Sequence, residues 1–362
     1  MILTIFLLIV GLVLLVLGAD WLVKGASRLA LSFGISALVV GLTVVAYGTS
    51  APELSVSVMS SIQGKSEMAM GNIVGSNIFN VLFILGISAL VTPLIVAKQL
   101  VRLDVPVMIA SSVLLIALCL DGVVTRVDGI ILFVGAIAYT WWLIRISRRD
   151  SQAALDAGGE LPEKQGNPWM NVLWILMGLG LLVLGSKFLV ESAITIARTF
   201  GLSETIIGLT IVAAGTSLPE VATSVMASIR GERDIAVGNV VGSNIFNILS
   251  VGGLSGIFSP NGISVAPSVM NFDLPVMLAI AIACLPVFFT GFRITRWNGL
   301  FFLAYYVAYT VYLILGATQH DSLPVFSKVM FEFVVPITVV MLLALVVFEI
   351  KKIRNDKKLL AQ

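Results

Sequence analysis

A forty-residue segment occurs twice in this chain. Residues 41–80 read GLTVVAYGTSAPELSVSVMSSIQGKSEMAMGNIVGSNIFN, and residues 208–247 read GLTIVAAGTSLPEVATSVMASIRGERDIAVGNVVGSNIFN. The two are identical at 26 of 40 positions at a constant offset of 167. Shared composition cannot produce that match, so the two halves follow one structural plan. The likeness extends upstream, where residues 16–36 align with 183–203. Downstream, LDVPVM at 103–108 resembles FDLPVM at 272–277.

Both halves are too apolar for water. Of the 362 residues 58% are hydrophobic and 12% charged, whereas soluble domains carry about 25% charge. The apolar residues form runs, and a helix needs roughly 20 of them to cross a bilayer. Eleven stretches meet that need: 2–23, 33–62, 67–96, 104–121, 127–147, 169–191, 202–229, 235–258, 273–290, 297–316 and 329–350. The first has no basic segment before it and no small-residue cleavage site after it, which predicts a retained helix.

Five stretches fall in each repeat. An odd number means that the second repeat enters the membrane from the opposite side. The pattern therefore predicts an all-α membrane protein of two inverted five-helix repeats, 1–147 and 169–316, joined by a polar linker at 148–168. An eleventh helix and a basic tail occupy 317–362. Of the 22 basic residues, all but Lys65, Arg126, Lys187, Arg198 and Lys328 fall on one side of this arrangement. Positive residues mark the cytoplasmic face, so the N-terminus is expected outside and the C-terminus inside.

The chemistry concentrates in the repeated segment. GTSAPE at 48–53 and GTSLPE at 215–220 place Pro52 and Pro219 inside apolar stretches, where each removes a backbone hydrogen bond. The helices should break there and free carbonyls near Ala46 and Ala213. Glu53 and Glu220 follow one residue later. A carboxylate at such depth costs about 2.5–3.5 kcal/mol on insertion scales and marks function. At helical spacing Thr49 and Ser50 share a face with Glu53, as Thr216 and Ser217 do with Glu220. In GNIVGSNIFN and GNVVGSNIFN, Ser76 pairs in spacing with Asn80, and Ser243 with Asn247.

This set is made of carboxylates, amides, hydroxyls and carbonyls. Hard oxygen ligands of that kind suit Ca²⁺ and Na⁺. Cys119 and Cys284 lie in apolar stretches, and His320, the one histidine, lies in a loop. That argues against a disulfide framework, a zinc site and histidine catalysis. Ser50 or Ser217 as a nucleophile would lack a base, so an enzyme is not expected. No resident cofactor and no nucleic-acid partner are implied; the expected partners are calcium, sodium and the lipid bilayer. Other charges read as structural. Asp20 with Lys24, and Lys187 with Glu191, are spaced as ion pairs. Asp104, Asp273, Asp128 and Asn298 read as helix N-caps.

The paired GTSxPE and GNxxGSNxFN motifs resemble the alpha repeats of the calcium/cation antiporter superfamily, and most nearly its prokaryotic sodium/calcium exchanger branch. The resemblance covers about residues 1–316. It implies alternating access around four central cation subsites, with Glu53 and Glu220 as the main calcium ligands. Thr49, Ser50, Thr216, Ser217, Ser76 and Ser243, with the carbonyls of Ala46 and Ala213, would bind sodium or calcium. Asn80 and Asn247 would complete the centre. Some relatives carry an acid at the place of Asn247, which leaves potassium dependence and stoichiometry open. The proton-coupled branch has a GN-type motif in place of GTSxPE, which favours sodium as the counter-ion. A calcium/proton antiporter is the near alternative, and a cation channel the alternative of another class.

Overall fold

The computed structural model describes residues 2–33, 35–156, 167–201, 207, 210–211 and 213–359. Its helices in chain order are α1 (Ile2–Phe33), α2 (Ala37–Thr49), α3 (Ala51–Ile62), α4 (Ser66–Val91), α5 (Leu100–Leu118), α6 (Arg126–Asp156) and α7 (Pro168–Thr199). There follow α8 (Ala213–Gly215), α9 (Leu218–Arg230), α10 (Arg233–Phe258), α11 (Val269–Phe289), α12 (Arg296–Ala317) and α13 (Leu323–Asn355). Among the described residues, nine helices are long and apolar enough to cross a membrane. A tenth crossing is α2 with α3, bent by 47° at Ser50. The seventh expected stretch begins outside the described residues, and its described part is α8 and α9.

The chain is a multi-pass membrane protein with an inverted distribution of polarity. Large apolar side chains such as Phe6, Ile9, Leu176, Val340 and Leu343 are exposed on the outer helices, while Glu53, Glu220, Asn80 and Asn247 are buried at the centre. In lipid every backbone group must be satisfied within the segment, which is why helices dominate.

Four two-residue strands tie the repeats together at the ends of the bundle: β1 (Leu94–Ile95), β2 (Val123–Val124), β3 (Ile263–Ser264) and β4 (Arg293–Ile294). β1 pairs antiparallel with β4, and β2 with β3. β1 and β3 hold equivalent places in the two repeats, as do β2 and β4. Exchanging the repeats therefore exchanges the two ladders, as a two-fold axis in the membrane plane requires.

The same axis relates the close packing of α1 on α7. A Cβ on Gly18 would lie 2.8 Å from the carbonyl oxygen of Gly178, and one on Gly11 would lie 2.8 Å from that of Gly185. Gly11 and Gly178 are equivalent positions, and so are Gly18 and Gly185. Small residues here let two backbones touch where lipid offers no hydrophobic drive for association.

Proline explains where several helices depart from the α form. Turns of π-helix occupy Leu100–Asp104, Val269–Asp273 and Met330–Val334. Each contains the residue four before a proline, namely Arg102 before Pro106, Asn271 before Pro275 and Glu332 before Pro336. The missing N–H and the ring's clash with that carbonyl are absorbed by the wider turn. Helices α5, α11 and α13 therefore begin earlier than expected, and α13 runs unbroken through Glu332 and Pro336. Helix α6 continues past 147 into the expected linker, whose residues 157–166 lie outside the described ones.

Four expected helix caps and one expected ion pair need correction. Asp104 and Asp273 are not N-caps, because they lie inside continuous helices and cap no backbone N–H. Asp104 accepts from the Tyr139 hydroxyl at 3.0 Å and the Gln99 amide at 3.2 Å, and Asp273 from the Tyr309 hydroxyl at 2.8 Å. Asp128 and Asn298 lie one turn beyond the cap. Thr125 and Thr295 take that role, and the Asp128 and Asn298 side chains bond back to their N–H groups at 2.8 and 2.9 Å, closing capping boxes. Asp20 pairs with Lys24 at 2.7 Å and also with Arg230, which comes from the other repeat. Lys187 and Glu191 form no ion pair among the described residues; both are exposed.

Candidate cation-binding centre

The prolines place the acids as expected. Pro52 and Pro219 stand at the second position of α3 and α9, so Glu53 and Glu220 lie in the first turn of each. A carboxylate there faces the unpaired N–H groups of a helix start, which favour negative charge. Of the carbonyls expected near the breaks, that of Ala46 is not fully released. Ala46 O still accepts the Ser50 N–H at 3.0 Å. The carbonyl released by a proline is the one four residues before it, and Gly215 O accordingly takes a hydrogen bond from Ser186 Oγ at 2.8 Å.

Across the axis the two acids exchange partners. Ser50 Oγ donates to Glu220 Oε1 at 2.7 Å, and Ser217 Oγ donates to Glu53 Oε1 at 2.7 Å. Helical spacing had put each serine on the face of its own repeat's glutamate; the tertiary fold gives each hydroxyl to the other repeat. Glu53 is 1% and Glu220 0% exposed. Neither has a Lys or Arg partner among the described residues. The acids are thus buried, brought together through one serine each, and turned away from lipid.

The remaining expected residues lie in the helices that carry or flank the acids. Ser217 Oγ lies 3.3 Å from Ser76 Oγ, and Thr49 Oγ1 lies 3.4 Å from Ala46 O. Asn80 Nδ2 donates to Asn244 Oδ1 at 3.0 Å. Asn80 and Asn247 each open a turn of π-helix, a feature common where a helix serves a site. Ser243 and Asn247 are fully buried. Thr216 is half-buried, and Ala213 lies in α8 just before the break.

Buried atoms without a hydrogen bond in the protein define the centre most sharply. They include Glu53 Oε2, Glu220 Oε2, Ser243 Oγ, Asn77 Oδ1, Asn80 Oδ1 and both polar atoms of Asn247. Each such atom costs roughly 1–3 kcal/mol if nothing satisfies it. Native proteins tolerate a concentration of this kind where a ligand or an ion does so. Most are oxygens, and no group of three His, Cys, Asp or Glu occurs among the described residues. The donors are neutral oxygens around two carboxylates, fit for a hard ion that must also leave.

Four asparagines were missed as site residues. Asn77 and Asn244 cross the axis, with Asn244 Nδ2 donating to Asn77 O at 3.3 Å. Asn72 and Asn239 reach the threonines of the opposite repeat. All four lie in the repeated GNxxGSN motif, so recurrence at the offset of 167 was the signal available.

Two inverted five-helix halves meeting at a buried acidic centre define an integral membrane transporter of the inverted-repeat class. The family described as sodium/calcium exchanger protein matches residues 3–145 and 170–315, and the chain belongs to it. It is 40% identical over 287 residues to the inner membrane protein YrbG of Escherichia coli, covering 78% of this chain and 87% of that one. It is 36% identical over 342 residues to the sodium/calcium exchanger MaX1 of Methanosarcina acetivorans, covering 85% and 97%. The solved structure of the sodium-calcium exchanger NCX_Mj superposes with a TM-score of 0.73 at 30% identity, over 85% of this chain and 97% of that one. The fold is the two-times-five inverted repeat of that exchanger. Helix α13 lies beyond the residues that the family matches.

Proposed function

We propose that this protein exchanges Ca²⁺ for Na⁺ across a cell membrane by alternating access, with three sodium ions moving against one calcium. The observation that carries the reading is the crossed pair of acids. Glu53 and Glu220 each have one oxygen held by a serine of the opposite repeat and one oxygen without a hydrogen bond. Glu53 and Glu220 are the calcium ligands in this reading. Thr49, Ser50, Thr216, Ser217, Ser76 and Ser243, with the carbonyls of Ala46 and Ala213, supply the flanking oxygens, and Asn80 and Asn247 close the centre. MaX1 and NCX_Mj, both named sodium/calcium exchangers, support the choice of ions.

The electrostatics give the coupling. Two ionised carboxylates make the ion-free centre strongly negative, and a buried negative centre cannot change sides cheaply. Calcium cancels the pair. Three sodium ions overcancel it by one charge, and that charge moves through the membrane potential at about 2.3 kcal/mol per 100 mV. Exchange is then electrogenic, and an inward sodium gradient extrudes calcium.

Two features at opposite ends of the bundle fit alternating access. At the end of the bundle that bears Arg230 and Arg233, Cβ atoms on Gly238 and Gly242 would lie 3.0 and 2.6 Å from the carbonyl oxygens of Leu38 and Leu42, so α2 seals against α10. At the other end Gly71 and Gly75 line a cavity of about 990 Å³ with Asp273 and Tyr309. With the N-terminus outside, the contact of α2 with α10 is cytoplasmic and the cavity external. The halves 1–147 and 169–316 would then trade roles when access reverses.

The test is calcium-45 uptake into liposomes that hold the purified protein and internal sodium. Uptake should follow the outward sodium gradient, generate a membrane potential and vanish in both Glu53→Gln and Glu220→Gln. Wild-type uptake in either variant would overturn the site. Uptake driven by a pH gradient in the absence of sodium would overturn the choice of counter-ion.

A further inference from the structure

Two amides outside the proposed ligand set bridge the repeats in the same manner. Asn239 Nδ2 donates to Ser224 Oγ at 2.9 Å, and Asn239 Oδ1 accepts from Thr49 Oγ1 at 3.1 Å. Asn72 Nδ2 donates to Ser57 Oγ at 2.9 Å and to Glu53 O at 3.3 Å, and Asn72 Oδ1 accepts from Thr216 Oγ1 at 3.4 Å. Positions 72 and 239, 57 and 224, and 49 and 216 are equivalent in the repeats. The Glu53 carbonyl can only accept a hydrogen bond, so it fixes which end of the Asn72 amide is NH₂. The amide oxygen is thereby left facing the threonine.

A threonine hydroxyl has one hydrogen. Thr49 Oγ1 has Ala46 O at 3.4 Å and Asn239 Oδ1 at 3.1 Å as hydrogen-bond acceptors, and the Glu220 carboxylate also lies near it. Given to Asn239, the hydrogen points away from the helix break. The lone pairs of Thr49 Oγ1, and the one lone pair of Ala46 O not taken by the Ser50 N–H, are then free for a cation. Given to Ala46, it takes the remaining lone pair of that carbonyl and turns the hydroxyl along its own helix. Asn239 and Thr49 are both fully buried, whereas Asn72 and Thr216 are half-buried.

We propose that Asn72 and Asn239 are positioning residues that hold the hydroxyl hydrogens of Thr216 and Thr49 away from the cation, so that neutral oxygens face it. The inference rests on the exchange function proposed above and assigns how its flanking subsites are set. These oxygens carry no charge. Their alignment therefore governs sodium more than calcium, which draws first on the two carboxylates.

The experiment compares two modes of transport in liposomes containing full-length protein: calcium self-exchange, which needs no sodium, and sodium-driven calcium exchange. Asn239→Leu should raise the half-saturating sodium at least fivefold while changing that for calcium in self-exchange less than twofold. Asn72→Leu should act in the same direction. Thr49→Val should show the sodium shift with Asn239 intact, and the double variant with Asn239→Leu should be no worse than the poorer single one. A fall in maximal rate alone, with both half-saturations unchanged, would mean that the asparagines only support the fold and would overturn the proposal. So would an unshifted sodium dependence in Thr49→Val, a result that stands even if Asn239→Leu fails to fold. A wild-type protein without calcium self-exchange would instead overturn the exchange function itself.

Discussion

Ser50 and Glu220 are 170 residues apart in sequence and 2.7 Å apart in space, and the bond between them joins the two repeats at the centre of the bundle. Its mirror, Ser217 with Glu53, makes the arrangement reciprocal. Each acid thus depends on the opposite half for its hydrogen-bond donor. A motion of one half against the other acts on both carboxylates at once, which is a direct way to couple occupancy to access.

That crossing predicts which residues are energetically coupled. A double-mutant cycle of Ser50→Ala with Glu220→Asp, read from the half-saturating calcium, should give an interaction of about 1 kcal/mol or more, within the range for residues in contact. The cycle of Ser50→Ala with Glu53→Asp should give the smaller value, although those two are neighbours in sequence. The reverse order would show that each serine serves its own repeat.

The packing of α1 on α7 predicts opposite effects for glycines of neighbouring helices. In Gly18→Ala the new methyl would meet the Gly178 carbonyl and the Leu182 N–H, each at 2.8 Å. Backbone atoms cannot step aside, so the helices must part at a cost of about 1–3 kcal/mol. Gly180→Ala meets nothing within 4 Å and removes the helix penalty of glycine, roughly 1 kcal/mol. In detergent, thermal unfolding should move down for Gly18→Ala and be unchanged or raised for Gly180→Ala.

The cavity beside Gly71 and Gly75 predicts sidedness. Asn271 lines it and is exposed, while Arg293 lies at the opposite end in β4. The native Cys119 and Cys284 are buried and should give little background. A membrane-impermeant maleimide added to sealed right-side-out vesicles should label Asn271→Cys and spare Arg293→Cys until the membrane is opened. Labelling in the reverse order would invert the proposed orientation.

Much of the fold could be read from particular residues. The doubled GTSxPE placed an acid one residue past a proline in each half, and α3 and α9 carry Glu53 and Glu220 in their first turns. What the one-dimensional pattern lacked was partnership across the axis. It put Ser50 beside Glu53, treated Asp104 and Asp273 as caps and passed over Asn72 and Asn239. Helical periodicity reports only which residues share a face within a turn or two. The donor to Glu53 comes from 164 residues away, and the tyrosines that hold Asp104 and Asp273 come from separate helices.

The sequence by itself determined that the chain crosses a membrane many times, that its halves are inverted copies and that each sets a carboxylate in apolar surroundings. Those follow from run length, odd span number and recurrence, all of which are local or additive properties. Only the tertiary structure decided that the carboxylates exchange serines, that α2 packs closely on α10, and that asparagines of each repeat reach threonines of the other. Such features depend on the relative placement of two backbones, and placement is set by the packing of whole helices.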